Sequence, residues 1–273
     1  MLLFFGGEMG LRIPGLLAFL IASPAIAQGI GVQRLPAGAV TEFDAQASIR
    51  VAIADPDRPV SERAADARRK PAGVLALFRL EPGQRVLDMV AGTGYYSRLI
   101  ADVVGPGGMV FAQSTEGLIA VDELQPGWSV LKRAHPNVRL LLGYPDRMKL
   151  PGRIDRVLFH MCIHDLWWED AQYRIPRMDP ALALRKVRDA MVHGGLVLVV
   201  DHRAKAGAEP RAETLAHHRI DPALVKAEMA KAGFVLEAES DLLANPGDDL
   251  TKLVYDPAIR GKTDRFIQLY RKP

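Results

Sequence analysis

Apolar and polar positions alternate along the chain with two different periods. Residues 45–54, 61–69 and 71–80 have helical periodicity, and Ser61 is the expected N-cap of the second helix. Beyond Leu80, short apolar runs bounded by turn residues alternate with helical stretches. The runs predict strands over 85–90, 109–113, 138–142, 154–160, 196–201, 234–239 and 265–270. The stretches between them predict helices over 95–104, 127–135, 179–192 and 221–232.

Short apolar strands that alternate with helices are typical of a parallel sheet covered on both faces. The predicted fold class is therefore α/β, with a doubly wound, mostly parallel, seven-stranded Rossmann-like sheet. No helix is predicted between the last two strands, so they are expected to form an antiparallel C-terminal hairpin. We predict a signal peptide over 1–27, an N-terminal arm and helix over 28–62, and the sheet domain over 63–273.

The first 27 residues have the layout of an export signal. An apolar run from Leu16 to Ile26 follows Arg12 and ends in Ala25-Ile26-Ala27, a small-x-small cleavage pattern. The run is short for a membrane span, which needs roughly 20 residues, although an uncleaved anchor is the alternative. We expect a protein that is periplasmic or secreted after cleavage near Ala27, with no membrane span in the mature chain.

The composition and charge of the chain limit the kinds of binding partner that we expect. The chain is 49% hydrophobic and 25% charged, which is typical of a globular protein. Its 35 basic and 32 acidic residues nearly balance, so charge gives no reason to expect a nucleic-acid partner. A small-molecule substrate is expected, and no oligomeric state is predicted. The single cysteine, Cys162, excludes an intramolecular disulfide and is expected to be a buried thiol.

A glycine-containing turn follows the first predicted strand. In Asp88-Met89-Val90-Ala91-Gly92-Thr93-Gly94-Tyr95 the strand ends in a carboxylate, and a Gly-x-Gly turn opens a helix. Glycine lets a ligand approach the backbone closely, and the helix N-terminus presents free amides. Because crevices at the carboxyl ends of parallel strands bind ligands, the turn predicts a small-molecule site. A tight turn without a ligand is the alternative.

The spacing Asp-x-x-x-Gly-x-Gly resembles motif I of class I S-adenosylmethionine (SAM)-dependent methyltransferases. From about Arg63 to Pro273 the chain also resembles a bacterial family of predicted exported methyltransferases. The matching stretches are Asp88–Tyr96, His164-Asp165, 200–203, 219–222, 245–249 and 261–266. The resemblance implies the class I methyltransferase fold, SAM as cofactor, and an enzyme that transfers a methyl group.

The resemblance also implies cofactor-binding residues. The methionine end of SAM would lie against the turn, at Asp88, Ala91, Gly92, Thr93, Gly94 and Tyr95. Asp146, after the third strand, would hold the adenine amino group. The second strand normally ends in an acid that grips the ribose hydroxyls. Here Gln113 and Ser114 stand at that point with Glu116 nearby, and a neutral side chain lacks the charge-assisted contribution.

Histidines and aspartates follow the fourth and fifth strands. His160, His164 and Asp165 come after one, and Asp201 and His202 end the other, so they are expected to converge beside the cofactor pocket. His164 or His202 would be the general base, and Asp165 or Asp201 would orient it or bind substrate. The alternative is that these polar side chains only make hydrogen bonds to the backbone of the loops after the strands. Imidazole and carboxylate also suit zinc, iron or manganese, but the spacing specifies no metal and none is assigned.

Two further pairs of residues have two possible roles each. Trp167 and Trp168 either wall an aromatic or cationic substrate or pack a lid, and packing is favoured. His217 and His218 either face the substrate or are solvated, and solvation is favoured. The prediction is SAM-dependent methyl transfer to a small molecule outside the cytoplasm. The alternatives are a methyltransferase-like fold that only binds a small ligand, and a metal-dependent enzyme that uses the histidines and aspartates.

Overall fold

The structure is a computed structural model that describes residues 44–120 and 125–273. The predicted signal peptide and most of the predicted arm lie outside the described residues. The described residues belong to one compact unit, which also includes the two helices before Lys70. No helix in this part of the chain is long and apolar enough to cross a membrane.

The described strands form one seven-stranded sheet in the order β3-β2-β1-β4-β5-β7-β6. The strands are β1 Arg85–Met89, β2 Met109–Ser114, β3 Val138–Leu142, β4 Ile154–His160, β5 Met191–His202, β6 Val235–Ser240 and β7 Arg265–Arg271. Strands β1 to β5 pair in parallel, and β7 is antiparallel to both of its neighbours. The predicted fold class and the C-terminal hairpin are therefore confirmed.

Helices cover both faces of the sheet. They are α1 Ala45–Ala54, α2 Val60–Arg69, α3 Pro71–Phe78, α4 Tyr95–Val104, α5 Glu116–Ile119, α6 Gln125–Ala134, α7 Pro180–Ala190, α8 Pro210–His217 and α9 Pro222–Lys231, with a 3-10 helix at His164–Trp167. Two large apolar cores hold the helices against the sheet. One contains the helix residues Ile49, Phe78 and Leu99, and the other contains Leu184 and Met229. Because β4 and β5 are buried on both faces, their apolar runs are nearly continuous.

Two predicted helix ends are wrong. Helix α2 begins at Val60 after Pro59, so Ser61 lies inside the first turn and is not the N-cap. Helix α7 ends at Ala190, and the chain enters β5 at once because Met191 pairs with Ile154 of β4. Gly194 therefore lies inside a strand, although it was expected to mark the end of this helix. Helices α5 and α8 and the 3-10 helix have only four to eight residues each and were not predicted.

Candidate functional site

A cavity of about 590 Å³ opens where β1, β4 and β5 end. Its lining includes eight of the predicted site residues: Asp88, Ala91, Gly92, Thr93, Tyr95, Asp165, Trp168 and His202. The other predicted site residues are outside the lining: Gly94, Gln113, Ser114, Asp146, His164, Trp167 and Asp201. Lining residues that were not assigned to the site are Arg69, Val90, Tyr96, Leu118, His160, Met161, Cys162, Asp170, Tyr173, Leu215, His218 and Tyr255.

The two glycines of the turn have different environments. Both have positive φ, 57° at Gly92 and 84° at Gly94. A Cβ on Gly92 would meet nothing within 4 Å, whereas a Cβ on Gly94 would lie 2.5 Å from Leu131 Cδ2. The Trp128 indole N–H donates to the Gly92 carbonyl at 3.0 Å. Gly92 therefore keeps the cavity floor open, and Gly94 lets helix α6 pack closely beneath the turn.

Three lining residues other than glycine have left-handed backbone. The φ angles are 44° at Val90, 57° at Met161 and 51° at His218. This conformation costs energy for residues with a Cβ, most for a β-branched one such as Val90. Strain of this kind persists only where the surroundings enforce it, and it concentrates at ligand sites. All three residues face the same cavity.

Gln113 supports the turn from behind. Its side chain is completely buried, and its Oε1 accepts the Val90 N–H at 3.0 Å. Its Nε2 donates to the carbonyls of Ser114 and Gly143, at 3.1 and 2.8 Å. Every polar atom of the Gln113 side chain is thus bonded within the protein. This placement does not favour the ribose contact expected for Gln113.

Two buried oxygens near the ends of β2 and β3 lack hydrogen-bond partners within the described residues. They are Ser114 Oγ and Asp146 Oδ1. The second oxygen of Asp146 accepts the Asp179 N–H at 3.2 Å. An unpartnered buried polar atom costs about 1–3 kcal/mol, so both oxygens suit contact with a ligand hydroxyl or amine.

One acid and one base of opposite charge face the cavity near the turn. Asp88 is buried and accepts the Ser97 hydroxyl at 2.6 Å. Burial raises its pKa from the ordinary 3.8 to about 7. The Arg69 guanidinium lies 4.5 Å from the Tyr95 ring centroid, and its Nε has no partner among the described residues. Burial lowers the Arg69 pKa. Within the described part of the chain Arg69 forms no ion pair, so its charge is available to a ligand.

His164 lies at the centre of a buried polar group that we call the His164 network: Asp201, His164, Asp165 and His218. Its Nδ1 is 2.8 Å from Asp201 Oδ1, and its backbone N–H donates to Asp201 Oδ2 at 3.0 Å. Its Nε2 is 3.2 Å from Asp165 Oδ1 and 3.3 Å from His218 Nδ1. The His164 side chain lies behind the cavity wall, and Asp201 is completely buried.

Neighbouring charges and burial shift the pKa values of the four side chains of the His164 network in different directions. Burial disfavours a charged His164, but Asp201 and Asp165 outweigh it and raise its pKa to about 9. Burial also opposes ionisation of Asp201, but His164 outweighs that and lowers the Asp201 pKa. Burial raises the pKa of Asp165 to about 6 and lowers that of His218 to about 4.

His202 and His160 are neutral imidazoles that line the cavity. Burial lowers the pKa of His202 to about 3 and that of His160 well below its ordinary range. His202 Nδ1 lies 2.8 Å from Thr263 Oγ1, and His160 Nε2 is buried without a partner among the described residues. His218 also lines the cavity, where the sequence had favoured a solvated role.

The later stretches of the family resemblance meet around His202. Arg219 is completely buried and makes two hydrogen bonds to Asp248, at 2.9 and 3.1 Å. Asp248 also accepts the Asp264 N–H at 2.7 Å, and Asp264 accepts Arg203 at 2.8 Å. These bonds hold the C-terminal loop, residues 241–264, which carries Thr263 and Tyr255 to the site. Sequence spacing gave no signal for this pairing, because its members lie far apart in the chain.

The two tryptophans have separate places. The Trp168 ring lines the cavity and packs edge-on against His218 with centroids 4.9 Å apart. The Trp167 ring belongs to the apolar core, and its carbonyl accepts Arg211 at 3.2 Å. Cys162 is buried, as expected, and donates to the Met89 carbonyl at 3.1 Å. Burial raises the Cys162 pKa, which makes this thiol a poor nucleophile.

Comparison with known proteins identifies the fold. No protein-family model matches the chain. The chain superposes on a SAM-dependent methyltransferase from Aquifex aeolicus with a TM-score of 0.52 and 17% identity, covering 85% of this chain and 100% of that one. A methyltransferase in complex with the Trm112 activator of Haloferax volcanii gives 0.52 and 15%, covering 85% and 99%. The cyclase SpnF gives 0.52 and 16%, covering 78% and 81%. The fold is thus the Rossmann-like fold of class I methyltransferases.

A curated relative is similar over a short segment. A protein-L-isoaspartate O-methyltransferase from Aeropyrum pernix is 51% identical over 39 residues, which are 14% of this chain and 15% of that protein. The chain therefore covers only a small part of this relative's length.

Proposed function

We propose that the protein binds SAM and transfers its methyl group to a small-molecule acceptor. The observation that carries this proposal is that Asp88 and Arg69 both line the cavity beside the glycine turn. A carboxylate and a guanidinium that face one cavity are complementary to the ammonium and carboxylate of an amino acid. SAM ends in such an amino-acid group.

The residues that line the cavity fit the amino-acid end of the cofactor. Asp88 would hold the ammonium and Arg69 the carboxylate, while the open backbone at Gly92 admits the chain that joins them. Ser114 Oγ and Asp146 Oδ1 lack partners among the described residues but lie outside the cavity lining, so they would hydrogen-bond the adenosine only after a local rearrangement that extends the cavity to them. When bound, SAM supplies an activated methyl group on a sulfonium.

His202 is the residue best placed to assist the acceptor. His202 Nδ1 lies 2.8 Å from Thr263 Oγ1, and in the tautomer that carries the proton on Nδ1 its Nε2 would accept a proton from an acceptor hydroxyl or amine. Its pKa, lowered to about 3, keeps it unprotonated at neutral pH but also makes it a weak base. It would therefore accept a hydrogen bond from the acceptor and take the proton only as methyl transfer makes that proton acidic. Asp165 faces the same cavity and would orient the acceptor, whereas His164 and Asp201 position these groups from behind the wall.

The cavity walls favour an aromatic or cationic acceptor. Trp168, Tyr173 and Tyr255 contribute three aromatic rings to the lining. Trp168 and Tyr173 pack with ring centroids 5.7 Å apart, and His218 joins Trp168 to Tyr255. Aromatic surfaces stack on flat rings and attract cations, so an aromatic or cationic small molecule is the proposed substrate class.

We also propose that the enzyme acts outside the cytoplasm, on the basis of the apolar run that ends at Ala25-Ile26-Ala27. N-terminal sequencing of the protein from a periplasmic fraction should begin near Gln28. Recovery of an intact N-terminus, in the cytosol alone, would contradict export.

A second function is favoured by the internal bonding of Gln113. Because its amide is fully used inside the protein, the end of β2 offers no side chain from Gln113 to grip a ribose. The similar fold of SpnF belongs to a protein described as a cyclase, so the fold alone does not require methyl transfer. Since SAM is made in the cytosol, an exported protein with this fold could bind another small ligand.

Calorimetric titration separates these functions. The probes are S-adenosylhomocysteine, SAM, and methylthioadenosine, which lacks the amino-acid group. We expect micromolar binding of the first two and binding of methylthioadenosine weaker by at least about tenfold, which is about 1.4 kcal/mol. Arg69→Met should remove most of this difference. Failure of the folded protein to bind any of the three would support the second function.

A further inference from the structure

We propose that His164, Asp165 and His218 form a binding site for one divalent transition-metal ion, with zinc as the best match. Two imidazoles and one carboxylate are the donors that such ions prefer. The ligand atoms of the three side chains lie within 4.8 Å of one another. The proposal does not depend on methyl transfer or on SAM binding.

Two of the three separations between the ligand atoms fit a tetrahedral ion. His164 Nε2 lies 3.3 Å from His218 Nδ1 and 3.2 Å from Asp165 Oδ1. Zinc–ligand distances of about 2.0–2.1 Å at tetrahedral angles require ligand atoms about 3.3–3.4 Å apart. The third separation, between Asp165 and His218, is at most 4.8 Å, so a small movement of one side chain would complete the set.

Asp201 supplies the outer support that a metal-bound histidine requires. Its carboxylate lies 2.8 Å from His164 Nδ1, the nitrogen that faces away from the proposed metal. It also accepts the backbone N–H groups of His164 and His202, at 3.0 and 2.6 Å. Carboxylate–histidine–metal arrangements of this kind fix the tautomer and the direction of the ligating nitrogen.

The chain elements make the site rigid on one side and open on the other. His164 and Asp165 lie in the short 3-10 helix after β4, and α8 packs on that helix and ends beside His218. Asp165 and His218 line the cavity, and His164 lies behind them. Three protein ligands would thus leave a fourth position facing the cavity, as in catalytic zinc sites. A ligand with an oxygen, nitrogen or sulfur donor could occupy that position.

The test begins with protein stripped by a chelator and checked for folding by circular dichroism. Calorimetry with zinc chloride alone should show one ion per chain. Cobalt(II) should give the visible absorption of a tetrahedral site. His218→Ala, which alters a half-buried side chain at a helix end, should abolish both signals. Asp201→Asn should weaken zinc binding by about 10–100-fold, because the outer support is lost.

His217→Ala is the matched control. His217 precedes His218 and bonds Glu213 instead, at 3.1 Å from its Nδ1, so this variant should bind zinc like the original protein. Absence of zinc binding by the folded original protein would overturn the proposal, and so would unchanged binding by His218→Ala.

Discussion

The Val90 N–H donates to the Gln113 side chain across 3.0 Å, and this bond ties the glycine turn to the end of β2. The left-handed φ of 44° at Val90 is therefore held by a side chain from the neighbouring strand. The same amide donates to two carbonyls, which an acid at position 113 could not do. These bonds explain why Gln113 stands at the end of β2, where the family resemblance leads one to expect an acidic residue.

Gln113→Glu should destabilise the protein by at least about 2 kcal/mol, because a buried carboxyl would face two carbonyl oxygens without donors for both. The free energy of unfolding in urea at neutral pH measures this. Ser114→Ala is the control, since it removes a buried oxygen without a partner in the described residues and should cost much less. Equal stability of Gln113→Glu and the original protein would contradict the proposed support of the turn.

Gly92→Arg should leave the protein folded and abolish binding of S-adenosylhomocysteine, because the new side chain would fill the cavity floor. Gly83→Arg is a matched control: Gly83 also has positive φ and open space around its Cβ position, but it does not line the cavity. Both variants place a side chain at positive φ, 57° at Gly92 and 80° at Gly83, but only the first should lose ligand. Retained affinity in Gly92→Arg would remove the turn from the binding site.

Asp88 should make stability depend on pH. Its pKa is about 7 in the folded protein and 3.8 ordinarily, so between these values the folded state keeps a proton that the unfolded state releases. The free energy of unfolding of the original protein minus that of Asp88→Asn should fall as pH rises from about 4 to about 7, by an amount on the order of a few kcal/mol, and then level off. The difference is the quantity to measure, because the lowered pKa values of His160, His202 and His218 act on total stability in the opposite direction over part of this range. A difference that does not change with pH would show that Asp88 ionises normally.

The same residue should make ligand affinity depend on pH. Only ionised Asp88 attracts the ammonium of SAM, so affinity should increase between pH 6 and pH 8, by up to about tenfold per pH unit below the pKa. Titrations of the Asp88→Asn variant at both pH values should give weaker and nearly constant affinity. Affinity that decreased with rising pH would contradict the placement of the ammonium at Asp88.

Asp248→Ala should destabilise the protein by about 3–5 kcal/mol, because it leaves the buried Arg219 charge without its partner. The side chains of Arg219 and Asp248 are 0% and 1% exposed. Asp249→Ala removes an exposed carboxylate that accepts two hydrogen bonds from Thr251, at 2.9 and 2.6 Å, and should cost only about 1 kcal/mol or less. Thermal unfolding of both variants distinguishes the buried pair from a general effect of removing an acid from the loop.

The sequence predicted the sheet well because each central strand is buried on both faces, which leaves a nearly continuous apolar run between turn residues. It missed α5 and the 3-10 helix because they have four residues each, and it missed α8 because this helix buries only Thr214 and so has no apolar face. For the site, the turn from Asp88 to Tyr95 was visible as a local motif. Arg69 and Tyr255 were not, because they reach the cavity only through folding of distant segments.

The placement of β7 has a consequence for the order in which the molecule is completed. Strand β7 lies between β5 and β6, and Thr263, just before it, sets the position of His202. A growing chain that has not yet reached Arg265 therefore leaves one edge of β5 unpaired and His202 without its partner. The cavity cannot be finished until the segment around β7 has emerged. Activity should thus arise in one late step of assembly, after most of the sheet has formed.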